Sequence, residues 1–386
     1  MDSSTRTPSA RVSTTTAVPP ARIALACGGT AGHVFPACAV AEALPPGIEA
    51  VLLGGTAGIE TRLARARRHR LLTTAAAPLA GTSVRRKVVG LAATGAGALA
   101  ARRILRREGV QLVLGLGGYA SAPAVLAAWS LRIPVVLLEA NAVAGTANRA
   151  LARFARLALV AEASAAAAFR CPTRITGVPV RAEILAVTAR PPDGTLHVLV
   201  SGGSLGSRFL DERVPSLLAQ VARRAGTVVV RHVGDTERAR AAYARAGLDA
   251  TVVPLVDDMA AEYARANVAI VSAGASTLAE LAAVGLPALL VSLASAAHDH
   301  QTANARAFAA ATGAVWAREA DWNQESLAAH VAVLAGDRPA WQLAAAGMRR
   351  FARAGAAEAV VQACLEVLDD AAVTPTRHAA SAGRAW

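Results

Sequence analysis

His33 is the side chain best suited to moving a proton near neutral pH. It lies in Cys27-Gly28-Gly29-Thr30-Ala31-Gly32-His33, between an apolar run at 23–26 and an Ala-rich run at 38–44. That order reads as strand, glycine turn and helix start. Glycines let backbone N–H groups come close to a ligand, and the positive end of the next helix favours an anion or a polarised hydroxyl. A histidine there fits a general base, or else a structural turn that happens to hold a histidine. Similar turns recur at Gly117-Gly118-Tyr119, at Gly202-Gly203-Ser204 and at Gly274-Ala275-Ser276-Thr277, the last followed by Glu280. The last arrangement suits a phosphate on the turn and ribose hydroxyls on the carboxylate; a capped helix with a solvated Glu280 is the alternative. Glu139 and Asn141 close a strand, where parallel sheets bind ligands, although Asn141 would also cap a helix and Glu139 would also pair with an arginine. His298-Asp299-His300-Gln301 has two histidines two apart and no further ligand cluster, so it reads as a polar loop toward a sugar or phosphate, or as a helix start, and no metal is expected.

Strands must end at each of these turns. Apolar runs at 23–26, 50–53, 112–114 and 135–138 predict strands of a first lobe, with a helix at 57–69. Runs at 196–200, 228–230, 251–253, 268–271, 288–291 and 314–316 predict those of a second. The fold class is therefore α/β, with two doubly wound domains facing each other across a cleft. The expected boundaries are a disordered tail at 1–20, a first domain at 21–190, a second at 191–370 and a disordered tail at 371–386, with Arg190-Pro191-Pro192-Asp193-Gly194 as linker. A nicotinamide cofactor is disfavoured, because the first turn lacks G-x-G-x-x-G spacing and the second strand ends in Gly54-Gly55 instead of an acid.

Composition agrees with two ordinary cores: 386 residues, 54% hydrophobic, with aromatics at only 4%. The four cysteines, Cys27, Cys38, Cys171 and Cys364, show no metal spacing and read as small buried hydrophobes. The segment 1–20 lacks the apolar region of a signal peptide. The uncharged run 110–131 is long enough to span a membrane, but its glycines and Pro123 break it, so no transmembrane helix is expected. Of the net charge of +13, twelve Arg or Lys fall between Arg62 and Arg107 with no Asp or Glu among them. Without aromatics in that segment, nucleic acid is a poor partner. Arg85-Arg86-Lys87 and Arg102-Arg103 bracket an apolar stretch, 88–101, that suits an anionic membrane surface; a solvated face is the other reading.

In order along the chain, Gly28-Gly29-Thr30-Ala31-Gly32-His33-Val34-Phe35-Pro36, Gly117-Gly118-Tyr119-Ala120-Ser121-Ala122-Pro123, Gly202-Gly203-Ser204, Asp257-Asp258-Met259, Gly274-Ala275-Ser276-Thr277 with Glu280, and Asp299-His300-Gln301 with Asn304-Ala305 resemble the MurG family. The resemblance runs from about Arg22 to Leu368. It implies a GT-B fold, whose last helix packs back on the first domain. It also implies an inverting, metal-independent and cofactor-free transfer of N-acetylglucosamine from UDP-N-acetylglucosamine to undecaprenyl-pyrophosphoryl-N-acetylmuramyl-pentapeptide, in peptidoglycan synthesis at the cytoplasmic face of the cell membrane. By the same resemblance His33 is the base, while Thr30, Ala31, Gly32 and Asn141 lie at the donor sugar and diphosphate. Arg181 and Ser204 line the donor site, Val256 packs near the uracil, Ala275, Ser276, Thr277 and Glu280 hold diphosphate and ribose, and Gln301 reaches the sugar. Trp129, with the basic segment, falls in the membrane patch.

The chain departs from the family pattern at Ala31 and Ala142, where glycines are usual, and at Ala140 for a Gln, Val178 for an Asn and Ser272 for an Arg. Ser292 and Ala294 replace prolines. These departures keep two other readings open: a different GT-B sugar-nucleotide enzyme, such as an epimerase or a transferase to another lipid, and a weakened paralogue that binds the donor without turnover.

Overall fold

The structure, a computed structural model, describes residues 21–55, 70–75, 84–294 and 299–381. The expected tail at 1–20, the helix at 57–69 and His298 lie outside the described residues. So do the side chains of Arg85, Arg86 and Lys87, which fall at the start of a helix.

Seven parallel strands build the first sheet: β1 (Ala21–Ala26), β2 (Ile48–Gly54), β3 (Leu71–Thr73), β4 (Leu112–Gly115), β5 (Val135–Glu139), β6 (Leu157–Val160) and β7 (Thr173–Ile175). Their order is β3-β2-β1-β4-β5-β6-β7, with Leu25 opposite both Leu52 and Leu114. Strands covered on both faces read as continuous apolar runs, and the two faces divide by alternation. Ile23 and Leu25 pack beneath α1 (Ala31–Glu42), whereas Ala24 and Ala26 share a core with Ala101 and Leu105 of α2 (Val84–Arg107) and with α3 (Ala122–Ser130). Two short helices follow, α4 (Thr146–Leu151) and α5 (Ala163–Ala166). Strand order reverses between β1 and β4, so the turns after these two strands open side by side, as expected for a ligand crevice.

The second sheet joins β8 (Leu196–Ser201), β9 (Val228–Val233), β10 (Thr251–Val253), β11 (Val268–Ser272), β12 (Ala288–Ser292) and β13 (Val315–Arg318) in the order β10-β9-β8-β11-β12-β13, all parallel. Around it lie α6 (Ala182–Leu185), α7 (Arg208–Ala225), α8 (Thr236–Ala246), α9 (Met259–Arg265), α10 (Ala275–Val284), α11 (His300–Thr312), α12 (Gln324–Gly336) and α13 (Arg338–Phe351). Its reversal, between β8 and β11, puts the Gly202 and Gly274 turns beside each other.

The structure differs from the sequence expectation in three added strands, in the lobe boundary and in the last helix. β3 and β7 carry too little pattern to stand out, and all three residues of β7 are exposed, whereas β6 is a buried apolar run that the sequence expectation omits. Val180, Ile184 and Ala189 are buried in the second core, so the chain changes lobes before residue 180 and not at 190. Pro191-Pro192 therefore turns the chain within the second lobe. The last helix, α14 (Ala356–Ser381), continues into the segment expected to be a disordered tail, whose residues 382–386 lie outside the described ones; extending a formed helix costs far less than starting one.

α14 also returns to the first lobe, where Val360, Val361, Ala363 and Cys364 join the core beneath β1 and β4. Cys27 and Cys38 are buried there too, and burial pushes the Cys364 thiol up to about 12. No helix among the described residues is long and apolar enough to cross a membrane. The uncharged run 110–131 is β4, a glycine turn and α3.

Replacing Val360 with Asp buries an unpaired carboxylate where α14 meets the first sheet, and it should cost about 3 kcal/mol or more. In hydrogen exchange, protection of β1 and β4 should fall before that of β8 and β11.

A candidate active site at the seam between the lobes

Thr30 is the N-cap of α1, with extended backbone, and its hydroxyl does not cap the helix. Thr30 Oγ1 lies instead 3.1 Å from His33 Nδ1. In the tautomer whose Nδ1–H donates to Thr30, the lone pair sits on Nε2, as a general base requires. The His33 ring rests against the second glycine turn. A Cβ on Gly117 would come within 3.4 Å of Nε2, and one on Gly118 within 3.2 Å of Nδ1 and 3.0 Å of the Gly28 carbonyl oxygen. Both glycines have positive φ, so side chains are excluded there by conformation and by space.

The first turn of α1 is braced by the other lobe. The Ala31 N–H donates to Ser204 Oγ at 3.3 Å, and Ser276 Oγ donates to the Gly32 carbonyl at 3.0 Å. One helix turn on, the Phe35 ring lies 4.0 Å from the guanidinium carbon of Arg181. Three of the glycine turns therefore meet at one helix end, and their hydroxyls and N–H groups converge on the seam.

Arg181, expected to line the donor site, is only 2% exposed and so presents almost no surface of its own to the seam. Its Nη2 donates to Glu280 Oε1 at 2.8 Å, and Tyr263 OH donates to Glu280 Oε2 at 2.9 Å. Burial first, and then the Glu280 charge, push the Tyr263 phenol far above its usual range, which keeps it a donor. Each Glu280 oxygen retains a second acceptor direction for an incoming hydroxyl. The Arg181 role is thus to fix the Glu280 carboxylate and to carry Phe35.

Glu139 is 3% exposed and pairs with no arginine among the described residues. Its Oε1 accepts from the Asn141 N–H (3.0 Å) and the Asn141 amide (2.9 Å), and its Oε2 from the Gly145 N–H (2.9 Å) and the Asn148 amide (3.0 Å). One buried carboxylate thereby shapes the whole 140–148 loop. Asn141 is held from the other lobe as well: Asn304 Nδ2 donates to Asn141 Oδ1 at 3.1 Å, while Asn304 Oδ1 accepts from the Ala142 N–H at 2.8 Å. Asn304, Phe35, Tyr263 and Asn148 were given no role by sequence reasoning. Asn304 stood in a quoted motif, but pairing across lobes leaves no trace in local spacing.

Beside Ser204 opens a cleft of ≈ 770 Å³, walled by the 203–209 turn, Val233, Asp235 and Pro254-Leu255. Val256 follows at its edge, half-buried against the second core. Ala275, Ser276 and Thr277 form the first turn of α10, whose N-cap is Gly274. Gln301 Oε1 accepts from the Leu293 N–H at 3.1 Å, which leaves its Nε2 as donor. Ser292, one of the residues standing for a proline, bonds Thr302, which bonds Asp299. Ser272, buried at the end of β11, lies beneath the Gly203 turn. Trp129 is distant from these groups in the chain and is 58% exposed, its ring 5.0 Å from that of Phe154.

Residues 23–160 match the glycosyltransferase family 28 N-terminal domain and 197–362 the glycosyltransferase family 28 C-terminal domain. A relative from Alkalilimnicola ehrlichii, named UDP-N-acetylglucosamine--N-acetylmuramyl-(pentapeptide) pyrophosphoryl-undecaprenol N-acetylglucosamine transferase, is 39% identical over 89% of this chain and 98% of its own length. One of the same name from Methylococcus capsulatus is 38% identical over the same shares. The crystal structure of MurG from Acinetobacter baumannii superposes with a TM-score of 0.68 at 30% identity, over 90% of this chain and all of that one. A UDP-GlcNAc 2-epimerase from Neisseria meningitidis, at 11% identity, shares the fold with a TM-score of 0.65 over 89% of this chain and 100% of that one.

Changing Asn304 to Ala strands the buried Ala142 N–H and releases Asn141. The expected cost is about 1–3 kcal/mol, seen as a lower unfolding midpoint and as faster amide exchange at Ala142.

Proposed function

Because the chain belongs to the MurG family of glycosyltransferase family 28, we propose that it transfers N-acetylglucosamine from UDP-N-acetylglucosamine to the 4-hydroxyl of undecaprenyl-pyrophosphoryl-N-acetylmuramyl-pentapeptide. The observation that carries this reading is the bracing of the His33 helix turn onto Ser204 and Ser276. It brings His33 of one lobe close to two turns of the other, an arrangement that would suit a nucleotide diphosphate held between them.

In this reading the 4-hydroxyl oxygen attacks the anomeric carbon, His33 Nε2 takes its proton, and the bond to the diphosphate breaks on the opposite face, so configuration inverts and UDP leaves. Negative charge grows on the departing diphosphate. N–H groups of the Gly203 and Gly274 turns can stabilise it without reorganising, and this should be the larger contribution to rate. Glu280, fixed by Arg181 and Tyr263, would take the ribose hydroxyls, Val256 would flank the uracil, and Asn141 with Gln301 would read the sugar. The sequence holds no D-x-D motif, and the leaving group is served here by these N–H groups in place of a cation. The lipid-linked acceptor brings the chain to the cytoplasmic face of the membrane, where Arg85, Arg86 and Lys87 would meet anionic headgroups and Trp129 the interface.

The direct experiment is transfer of labelled N-acetylglucosamine to a short-chain acceptor, with chelator present and with acceptor omitted as control. Acceptor-dependent product is expected; donor binding without product would favour the weakened-paralogue reading. His33→Ala should lower turnover about 10²- to 10⁴-fold with donor affinity nearly unchanged, and a variant as fast as the parent would remove the base assignment.

Binding to anionic vesicles should fall as salt rises, and should be lost when Arg85, Arg86 and Lys87 become Ser. Sedimentation with phosphatidylglycerol vesicles measures both effects.

A further inference from the structure

Behind the loop that carries Asn141 a second, half-open cavity of ≈ 250 Å³ lies between the lobes. Ala140 and Ala142 of the first lobe, Val178 of one crossing between the lobes, and Leu278 and Ala283 of α10 are among its walls. Ala140, Ala142 and Val178 leave the part of the wall nearest Asn141 without a polar side chain of their own. Among the described residues the one uncharged polar side chain on the wall, the Asn304 amide, is engaged by Asn141, Ala142 and Ala273.

Two charges face this space, Glu162 and Arg353. Arg353 is exposed, so water already solvates its head, while its stem packs against Gly177. Glu162 is half-buried and its carboxylate makes no hydrogen bond or ion pair among the described residues. Burial raises the proton affinity of its carboxyl, with Arg353 opposing the effect from a distance. A half-desolvated carboxylate with no hydrogen-bond donor, facing only the distant charge of Arg353, gains more from a cation in contact than a solvated guanidinium gains from an anion.

We propose that this cavity is a binding site for a compact apolar primary amine, with its hydrocarbon body against Val178, Leu278 and Ala283 and its ammonium on Glu162. A dry cavity of about 150 Å³ accepts benzene, so the present one suits a body of roughly ten heavy atoms. Walls from both lobes contact the occupant. The assignment does not depend on the transfer reaction.

The test is calorimetric titration of the full chain with 4-phenylbutylamine, against the neutral 4-phenylbutanol as comparison. Saturable one-to-one binding of the amine is expected, about tenfold tighter than the alcohol because of the charge-assisted bond. Glu162→Gln should bring the amine down to the level of the alcohol. Ala283→Phe, which fills the space, should abolish binding of both while UDP binding persists as proof of folding. Absence of saturable amine binding, equal affinity for amine and alcohol, or amine binding unaltered by Glu162→Gln would each overturn the proposal. None of these readouts involves sugar transfer, so failure here and failure of the transferase reading are separately visible.

Discussion

Everything at the seam depends on where the first turn of α1 is held. That turn has N–H groups with no partner inside its own helix, and Thr30 does not cap it. Ser204 takes one of them from the opposite lobe, and Ser276 returns a hydrogen bond to Gly32. A helix end belonging to one sheet is thereby completed by side chains belonging to the other. His33 inherits its position from this arrangement, since its ring is fixed between Thr30 and the glycines of the second turn.

The same logic explains a buried ion pair that would otherwise cost stability. Taking Arg181 and Glu280 out of water is expensive, and a well-packed apolar pair is often as stable. Here the pair has further partners: Tyr263 on the carboxylate and Phe35 on the guanidinium face. The four groups form a column from α1 through the start of α6 to α10 and α9. Its worth lies in orientation. A carboxylate held by two donors offers its remaining acceptor directions at a set angle, and the column transmits the position of α1 to that angle.

Much of the architecture is legible in the sequence because parallel strands buried on both faces must be continuous apolar runs, and because glycine turns mark where each one ends. β1, β4, β5, β11 and β12 follow from that rule alone. β7 does not, since Thr173-Arg174-Ile175 at the sheet edge is exposed and has no face to bury. His33, Ser204, Ser276 and Glu280 stand out locally, each in or just after a glycine turn. The work of Glu139, Arg181 and Asn304 could not be read in the same way. Their partners lie on other loops or on the other lobe, and a hydrogen bond between residues 163 positions apart, as from Asn304 to Asn141, has no periodicity. The lobe boundary was misplaced for a related reason: Pro191-Pro192 is the stronger local signal, but the burial of Val180 and Ile184 decides membership.

The return of α14 to the first sheet means that the polypeptide passes between the lobes twice, once near Gly177-Val178 and once near Ala352-Arg353, and both passages border the same small cavity. Two neighbouring covalent tethers remove most relative motions of two rigid bodies and leave one easy rotation, about the line that joins them. Such a joint behaves like a pair of scissors. Contacts from α1 to Ser204, Ser276 and Arg181, and those of Asn304, lie on blades of one rigid piece each, so they part together or not at all.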